Sequence, residues 1–498
     1  MRIVETHISW VLLVDDRAYK IKKPVRLPFL DFTTLADRRR CCAEELRVNA
    51  RFAPSVYVDV VELHEGPAGI GFDVEGPVVE AVLRMRRFPD GALWSDRVAA
   101  ATLTPKQVDA MAERLARLHR EARPASLAVD SPGSMPRRRR IVLRLVAGID
   151  SWQAGLAAPA PHWPGLRDWL GRQLDALAPL WESRLRDGHV RACHGDLHLD
   201  NVVQLGDEPT PFDAIEFDPD LRFIDVLEDL AFLVMDLLAH GRRDLAFRLL
   251  AAYLDATGDH DGVPTLRFFL VARALVRAQV RAIGEAGRPA PAGPGTAAHY
   301  LALAASLAND VDPRLAITHG LPGSGKTYAS QALLEAAGAL RVRSDVERKR
   351  LAGLAALQSS RGVGVPGGIY AAEATARTYA RLAEIAQTAL ASGWPIVIDA
   401  AFLRRAERAR FAALADAAAV PLFILDCVAP MPLLRERVVL RHAAGSDASE
   451  ADLGVLEHLA SEVEPLDDSE RARAIVVGPA RVEALAGEPG FIAAFLAS

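Results

Sequence analysis

The sequence predicts two domains of different class: a two-lobed α+β domain, followed by an α/β domain built on a parallel sheet. Three observations carry this reading. The chain opens with strand patterns and then turns helical, which suits an α+β domain. Its last part alternates apolar strand runs with helical patterns, the signature of a parallel sheet covered on both faces. Between them lies Gly287-Arg288-Pro289-Ala290-Pro291-Ala292-Gly293-Pro294-Gly295. Proline removes backbone donors and glycine removes stiffness, so this stretch reads as a linker. The division is therefore 1–288, a linker with a bridging helix over 289–311, and 312–498.

The elements follow in order. Strand patterns at 8–14 and 18–22 flank Asp15-Asp16-Arg17, a hairpin turn. A helix is predicted over 35–52, then strands at 56–63 and 78–84. Helices dominate from Lys106 onward, for example 107–118, 225–240 and 266–283. A short helix at 296–307 leads to Asp312-Pro313. The second domain places strands at 315–318, 340–342, 395–398, 421–425 and 474–477, with a long helix at 370–391 among the intervening segments. No internal repeat relates the two halves.

Composition narrows the function. A formal net charge of −5 argues against a dedicated nucleic-acid partner. Cys41, Cys42, Cys193 and Cys427 show neither a CxxC pair nor zinc-ligand spacing, so reduced thiols are expected. The N-terminus meets charge before any long apolar stretch, unlike a signal peptide, and Asp229 and Asp236 interrupt the apolar run near Phe232. A cytoplasmic protein without membrane association is the expectation. Oligomeric state is not written in the sequence. Arg137 to Arg140 read as a solvated face or an inter-domain contact, and Trp152, Trp163, Trp169 and Trp181 as packing.

Gly320-Leu321-Pro322-Gly323-Ser324-Gly325-Lys326-Thr327 is a complete G-x-x-x-x-G-K-T match between a strand and a helix. Glycines let the backbone wrap phosphate oxygens, and N–H groups at the helix start hold negative charge. Lys326 is expected at the β- and γ-phosphates, and Thr327 on Mg²⁺. Asp399 ends an apolar strand and suits the metal or its water. Asp345 is placed to take a proton from a hydroxyl, or to cap its helix, with Arg348 one turn on to grip an anionic group. Arg435, Arg437 and Arg441 lie on a later helix, and Arg437 is taken as a triphosphate contact. Ser449-x-x-Asp452 reads as a capping box. The stretch 317–470 resembles the zeta-toxin-like and polynucleotide-kinase-like P-loop kinases, through Asp345, Arg348 and the lid arginines.

In the first half, His194-Gly195-Asp196-Leu197-His198-Leu199-Asp200-Asn201 carries H-x-D-x-x-x-x-N. Asp196 would orient the acceptor hydroxyl and take its proton, and Asn201 would hold Mg²⁺. An acidic cluster follows, Asp213-Ala214-Ile215-Glu216-Phe217-Asp218, where such chemistry needs a metal acid. Asp225 and Asp229 read as caps or braces. Among Lys20, Lys22 and Lys23, Lys20 is preferred as partner of Glu44 or Glu45 and of the nucleotide phosphates.

Residues 5–238 resemble the aminoglycoside-phosphotransferase-like group of the protein-kinase-like superfamily, through His194-Gly195-Asp196, Asn201 and Ile215-Glu216-Phe217. Relatives carry aspartate where Glu216 stands, so either Glu216 or Asp218 is the expected metal ligand. The resemblance implies a bilobal kinase-like fold using ATP and Mg²⁺. The tandem order resembles bacterial proteins that join such a domain to an ATP-binding domain. The implied function is transfer of the ATP γ-phosphate to a small-molecule hydroxyl. Two alternatives stand beside it: an ATP-gated regulator with a degenerate kinase-like domain, and a P-loop kinase acting on nucleic-acid 5′-hydroxyl ends.

Overall fold

The computed structural model describes residues 1–6, 8–27, 30–67, 69–156, 158–285, 294–360, 368–444, 447–479 and 495. The expected linker lies, up to residue 293, outside the described residues. The chain divides into two compact units: Met1–Arg242 with Thr265–Ala308, and Arg243–Pro264 with Asn309–Ser498.

These units depart from the expected boundaries at 288 and 312. The helix Arg243–Thr257 belongs to the second unit. Arg248 pairs with Glu335 at 2.9 Å, Asp255 with Arg341 at 3.3 Å, and Phe247 meets Trp394 edge-on. The helix Ala297–Asn309, expected as a bridge, belongs to the first unit up to Ala308. Its Tyr300 is fully buried and donates to Asp236 at 2.7 Å. Helical periodicity shows that a helix buries a face; it does not show against what.

The first unit begins with an antiparallel sheet. Its strands lie in the spatial order Arg2–Glu5, Ser9–Val14, Arg17–Lys22, Val78–Arg86, Tyr57–Gly66, Gly69–Gly71. The hairpin closes through Asp15, whose φ is +47°, and Asp16. Strand Arg17–Lys22 alternates in burial, so Ala18, Lys20 and Lys22 all face inward. The helix Leu35–Asn49 lies over this sheet, and Thr34 caps it by accepting from the Asp37 N–H. It ends three residues before the predicted limit.

The helical body includes Pro105–Glu121, Met135–Ala154, Trp163–Ala176, Val226–Ala239 and Val263–Glu285. Thr104 and Gln107 form a capping box at the first of these. Trp163 and Trp181 are buried, and Trp181 packs on Phe268 and Phe269. The arginine run divides by face. Arg138 is buried over Trp181 and pairs with Glu228, while Arg137 holds the half-buried Asp220 and Arg139 and Arg140 hold exposed acids.

The second unit holds five parallel strands in the order Leu340–Arg343, Ile396–Asp399, Leu315–His319, Leu422–Cys427, Ala474–Val477. The central strand is buried along its length and apolar from Leu315 to Ile317, as a two-sided parallel sheet requires. The helix Lys326–Ala337 packs Ala329 and Leu333 on Ala316, Val397 and Leu425. Asp452 alone, rather than a Ser449 capping box, caps the helix Leu453–Ser461. Among the described residues, no helix is long and apolar enough to cross a membrane.

Candidate functional site

Two inward lysines create the first problem of the site, because a buried ammonium needs a partner. Glu45, fully buried on the helix Leu35–Asn49, serves both. Its Oε1 lies 2.7 Å from Lys20 Nζ and its Oε2 lies 2.7 Å from Lys22 Nζ. Each lysine then takes a second acid. Lys20 reaches Asp213 Oδ1 at 2.5 Å, and Lys22 reaches Glu216 Oε1 at 2.5 Å. Burial pulls both lysines toward neutrality, but the carboxylates outweigh it and hold them well above the ordinary range. Burial also opposes ionisation of Glu45, yet the two lysines hold it down at about 2. Glu216 is raised, by burial first and by Glu45 as well.

The two outer acids differ in access. The Asp213 side chain is 39% exposed and that of Glu216 is 5% exposed. Asp213 is the acid at the open side, and Glu216 is enclosed with Lys22. Asp218 accepts from the Asp220 N–H at 2.9 Å and caps the short helix Pro219–Arg222. Of the acids in this cluster, Asp213 is the one that reading by motif passed over.

The segment after strand Val190–Ala192 carries the H-x-D-x-x-x-x-N residues. Gly195 has φ +87°, and a Cβ there would lie 2.6 Å from the Leu221 carbonyl, so glycine is required. Asp229 accepts from the His194 and Gly195 N–H groups at 3.0 and 2.8 Å, and its Oδ2 lies 3.1 Å from His119 Nε2. Asp236 accepts from the Leu199 N–H at 2.9 Å. The helix Val226–Ala239 thus clamps the segment through two of its acids. Asp225 caps that helix and takes both arms of Arg184.

The clamp presents Asp196. The Asn201 amide donates to Asp196 Oδ2 at 3.0 Å, and His198 Nε2 lies 3.4 Å from the same oxygen. Burial opposes its charge, but His198, Arg277 and His194 hold the carboxyl well below the usual range. The side chain is still 37% exposed. His194 contacts the Phe212 carbonyl at 2.8 Å, and the Phe212 N–H donates to Asn201 O at 3.0 Å. Asp213 therefore follows directly on a residue locked to the Asp196 segment. Asp196, Asn201, Asp213 and Lys20 form one connected set.

In the second unit, the loop from Gly320 to Thr327 joins strand Leu315–His319 to helix Lys326–Ala337. Gly320, Gly323 and Gly325 have φ of +141°, +83° and +99°. A Cβ on Gly320 would lie 2.4 Å from the Cys427 carbonyl. The glycines thus shape a loop no other residue could trace, and its start of helix fits a phosphate group. Leu321 and Pro322 complete the turn, and the Ser324 N–H donates to Leu321 O at 3.1 Å. The Lys326 ammonium donates to the Leu321 carbonyl at 2.9 Å, and burial lowers its pKa against the field of Asp399. Thr327 stands in the first helical turn.

Asp399 is buried at its strand end, takes a hydrogen bond from Ser330 at 3.2 Å and lies 3.8 Å from Arg343. Asp345 is half-buried in the first turn of Ser344–Leu351, and its charge reaches Lys326. Arg348 is placed differently from its expected role. It is 8% exposed, donates to Ile369 O and Thr375 Oγ1 at 3.0 and 2.9 Å, and stacks on Tyr370. Of the three helix arginines, Arg437 reaches the loop, donating to Gly323 O at 3.3 Å. Arg435 pairs with Glu457, and Arg441 donates to Ala451 O. Arg343, beside Asp399, carried no signal in the sequence beyond its charge.

Comparison with known proteins matches the same two regions. Residues 15–269 match the phosphotransferase enzyme family, and residues 315–466 match an AAA domain. An uncharacterized protein of Mycobacterium tuberculosis and one of Mycobacterium bovis are each 30% identical over 458 residues, 89% of this chain and 87% of theirs. Among solved structures, a choline/ethanolamine kinase family protein from Mesorhizobium loti is similar at 16% identity and TM-score 0.36, over 62% of this chain and 86% of its own. An aminoglycoside phosphotransferase from Streptomyces rimosus, in complex with ADP and streptomycin, is similar at 19% identity and TM-score 0.31, over 52% and 86%. With a family match over half of its length and relatives aligned along nearly all of it, the chain belongs to the phosphotransferase enzyme family.

Proposed function

We propose that the first unit transfers the γ-phosphoryl group of ATP to a hydroxyl of a small molecule, and that the P-loop unit binds a second ATP. The observation that carries this reading is the connection of Lys20, Glu45 and Asp213 to Asp196 and Asn201. Kinase chemistry needs these parts together: a lysine fixed by a helix glutamate, a metal acid, a metal-holding asparagine and an acid for the acceptor. Asp213 and Asn201 offer hard oxygen donors, which suit Mg²⁺. Mg²⁺, when bound, neutralises charge on the phosphate oxygens.

The chain's own groups would then act as follows. Lys20, held by Glu45, steadies the α- and β-phosphates. Asp196, kept ionised, accepts the hydrogen bond of the acceptor hydroxyl and aims its oxygen. The hydroxyl oxygen bonds to the γ-phosphorus, the bond to the β-phosphate oxygen breaks to leave ADP, and the hydroxyl proton passes to Asp196. In the P-loop unit, Lys326 serves the β- and γ-phosphates, Thr327 and Asp399 the metal, and Arg437 the outer phosphate charge. Glu216 in place of an aspartate favours a regulator without catalysis; a partly exposed Asp213 next to Phe212, which donates to Asn201, supports the catalytic reading instead.

The test uses the Lys326→Ala protein, so that turnover by the P-loop unit does not contribute. Labelled ATP and a library of hydroxyl compounds should give a phosphorylated product. Asp196→Asn in that background should lower transfer by about a thousandfold or more. Undiminished transfer by Asp196→Asn overturns the reading.

A further inference from the structure

Resting on that reading of the first unit, the structure also bears on what the acceptor looks like. Helix Val263–Glu285 runs past the Asp196 segment with Arg273, Arg277 and Arg281 four residues apart, hence along one face. Arg273 is committed to the fold: it donates to Gly195 O at 3.2 Å and pairs with Glu228 at 3.2 Å, which Arg138 also holds. Arg277 and Arg281 are not satisfied in this way. Both approach the single carboxylate of Asp200, at 3.6 and 4.0 Å, beyond hydrogen-bonding distance. Arg277 is 6% exposed, its Nε is buried without a hydrogen-bond partner, and its plane lies by the Tyr300 ring. Tyr300 hydrogen-bonds Arg277, and the charges of both Asp236 and Asp196 reach this arginine, with Asp236 already accepting from Tyr300 and the Leu199 N–H.

Asp200 and Asn201 are neighbours in sequence but serve different groups: Asn201 donates to Asp196, and Asp200 faces the arginines. Lys20 and Lys22 interact with Glu45, Asp213 and Glu216. A buried guanidinium whose Nε has no hydrogen-bond partner, close enough to Asp196 for its charge to be felt there, is a recognition element for negative charge. It would repel a polyamine acceptor.

We infer that the acceptor carries an anionic group, a carboxylate or phosphate, bound by Arg277 and Arg281 while Asp196 orients its hydroxyl. The test uses the full chain carrying Lys326→Ala. A pool of deproteinised metabolites is split on an anion exchanger into a retained fraction and a flow-through, and each is offered with labelled ATP and Mg²⁺. Label should enter acceptors of the retained fraction. Arg277→Gln and Arg281→Ala should each raise the acceptor KM by about ten- to a hundredfold, the range of a charge-assisted hydrogen bond, with the KM for ATP unchanged. Arg277→Lys should recover part of the loss.

Transfer into the neutral and cationic flow-through alone overturns the inference. So does a fall in kcat with both KM values unchanged, which would place the arginines on the transferring phosphoryl group. If neither fraction takes label, phosphotransfer itself is refuted, and sulfate decides the anion site separately. Sulfate should raise the melting temperature of the Lys326→Ala chain and not that of the same chain with Arg277→Gln and Arg281→Ala. Equal shifts in the two contradict an anion site whatever the outcome of the transfer assay.

Discussion

Asp213 and Glu216 each hold a buried lysine, yet their surroundings give them different work. Asp213 is partly exposed and adjoins the Asn201 segment; Glu216 is enclosed with Lys22. Asp213→Asn should therefore lower kcat by about a thousandfold and raise the Mg²⁺ requirement, as loss of a metal acid would. Glu216→Gln should instead cost about 3 kcal/mol of stability, because it strips a buried ammonium of one partner. Mg²⁺ titrations of transfer, with urea denaturation of both variants, check this. A raised Mg²⁺ requirement in Glu216→Gln alone would reverse the two roles. Much at this scale was legible. Motif spacing marked Asp196, Asn201 and Gly320 to Thr327, and period-two alternation put Lys20 and Lys22 on one face. The open position of Asp213 was not legible, because Asp213 sits at φ +62°. A left-handed residue breaks the alternation by which neighbouring side chains are counted to one face. Arg348 reads from sequence as a substrate contact because spacing cannot reveal Tyr370, Ile369 and Thr375 waiting to receive it.

The elements were read best where burial is one-sided or complete, as in the helix Val226–Ala239 and the five parallel strands. The hairpin Val202–Leu205 with Glu208–Pro211 was not foreseen. Its second strand carries Pro209 and Pro211, which punctuate a sequence even though a two-stranded ribbon tolerates them. The helix Arg243–Thr257 lies in the helical region read as the first domain, while its packing groups it with the second unit. It leads into a short turn, His260–Gly262, where His260 is 3% exposed beside Glu347. Burial outweighs nearby acids and lowers the His260 pKa to about 4. Between about 6.5 and 4 the unfolded chain binds a proton that the folded chain refuses, so stability is full above this window and falls as pH drops through it. The drop should be on the order of 3 kcal/mol by pH 4. Urea midpoints at pH 7 and 4.5 should fall in the wild type and fall less in His260→Gln. Equal falls would show that His260 is not the titrating group.

For the whole molecule, the order of strand-rich, helical and alternating segments sufficed to give two units and the class of each. It did not give their membership, because chain order and spatial order part company at Arg243 and again at Thr265. Composition could not show this, since the proline- and glycine-rich stretch marks a change of sequence character and not the packing of the helices around it. The central claim is that the chain has two separate phosphate-binding sites, one around Lys20 and Asp213 and one around Lys326. The most direct test is calorimetric titration of the full chain with a non-hydrolysable ATP analogue at millimolar Mg²⁺. Two equivalents should bind to the wild type, one to Lys326→Ala, and none to Lys326→Ala combined with Lys20→Ala and Asp213→Asn. A single equivalent in the wild type that Lys326→Ala abolishes would contradict the account.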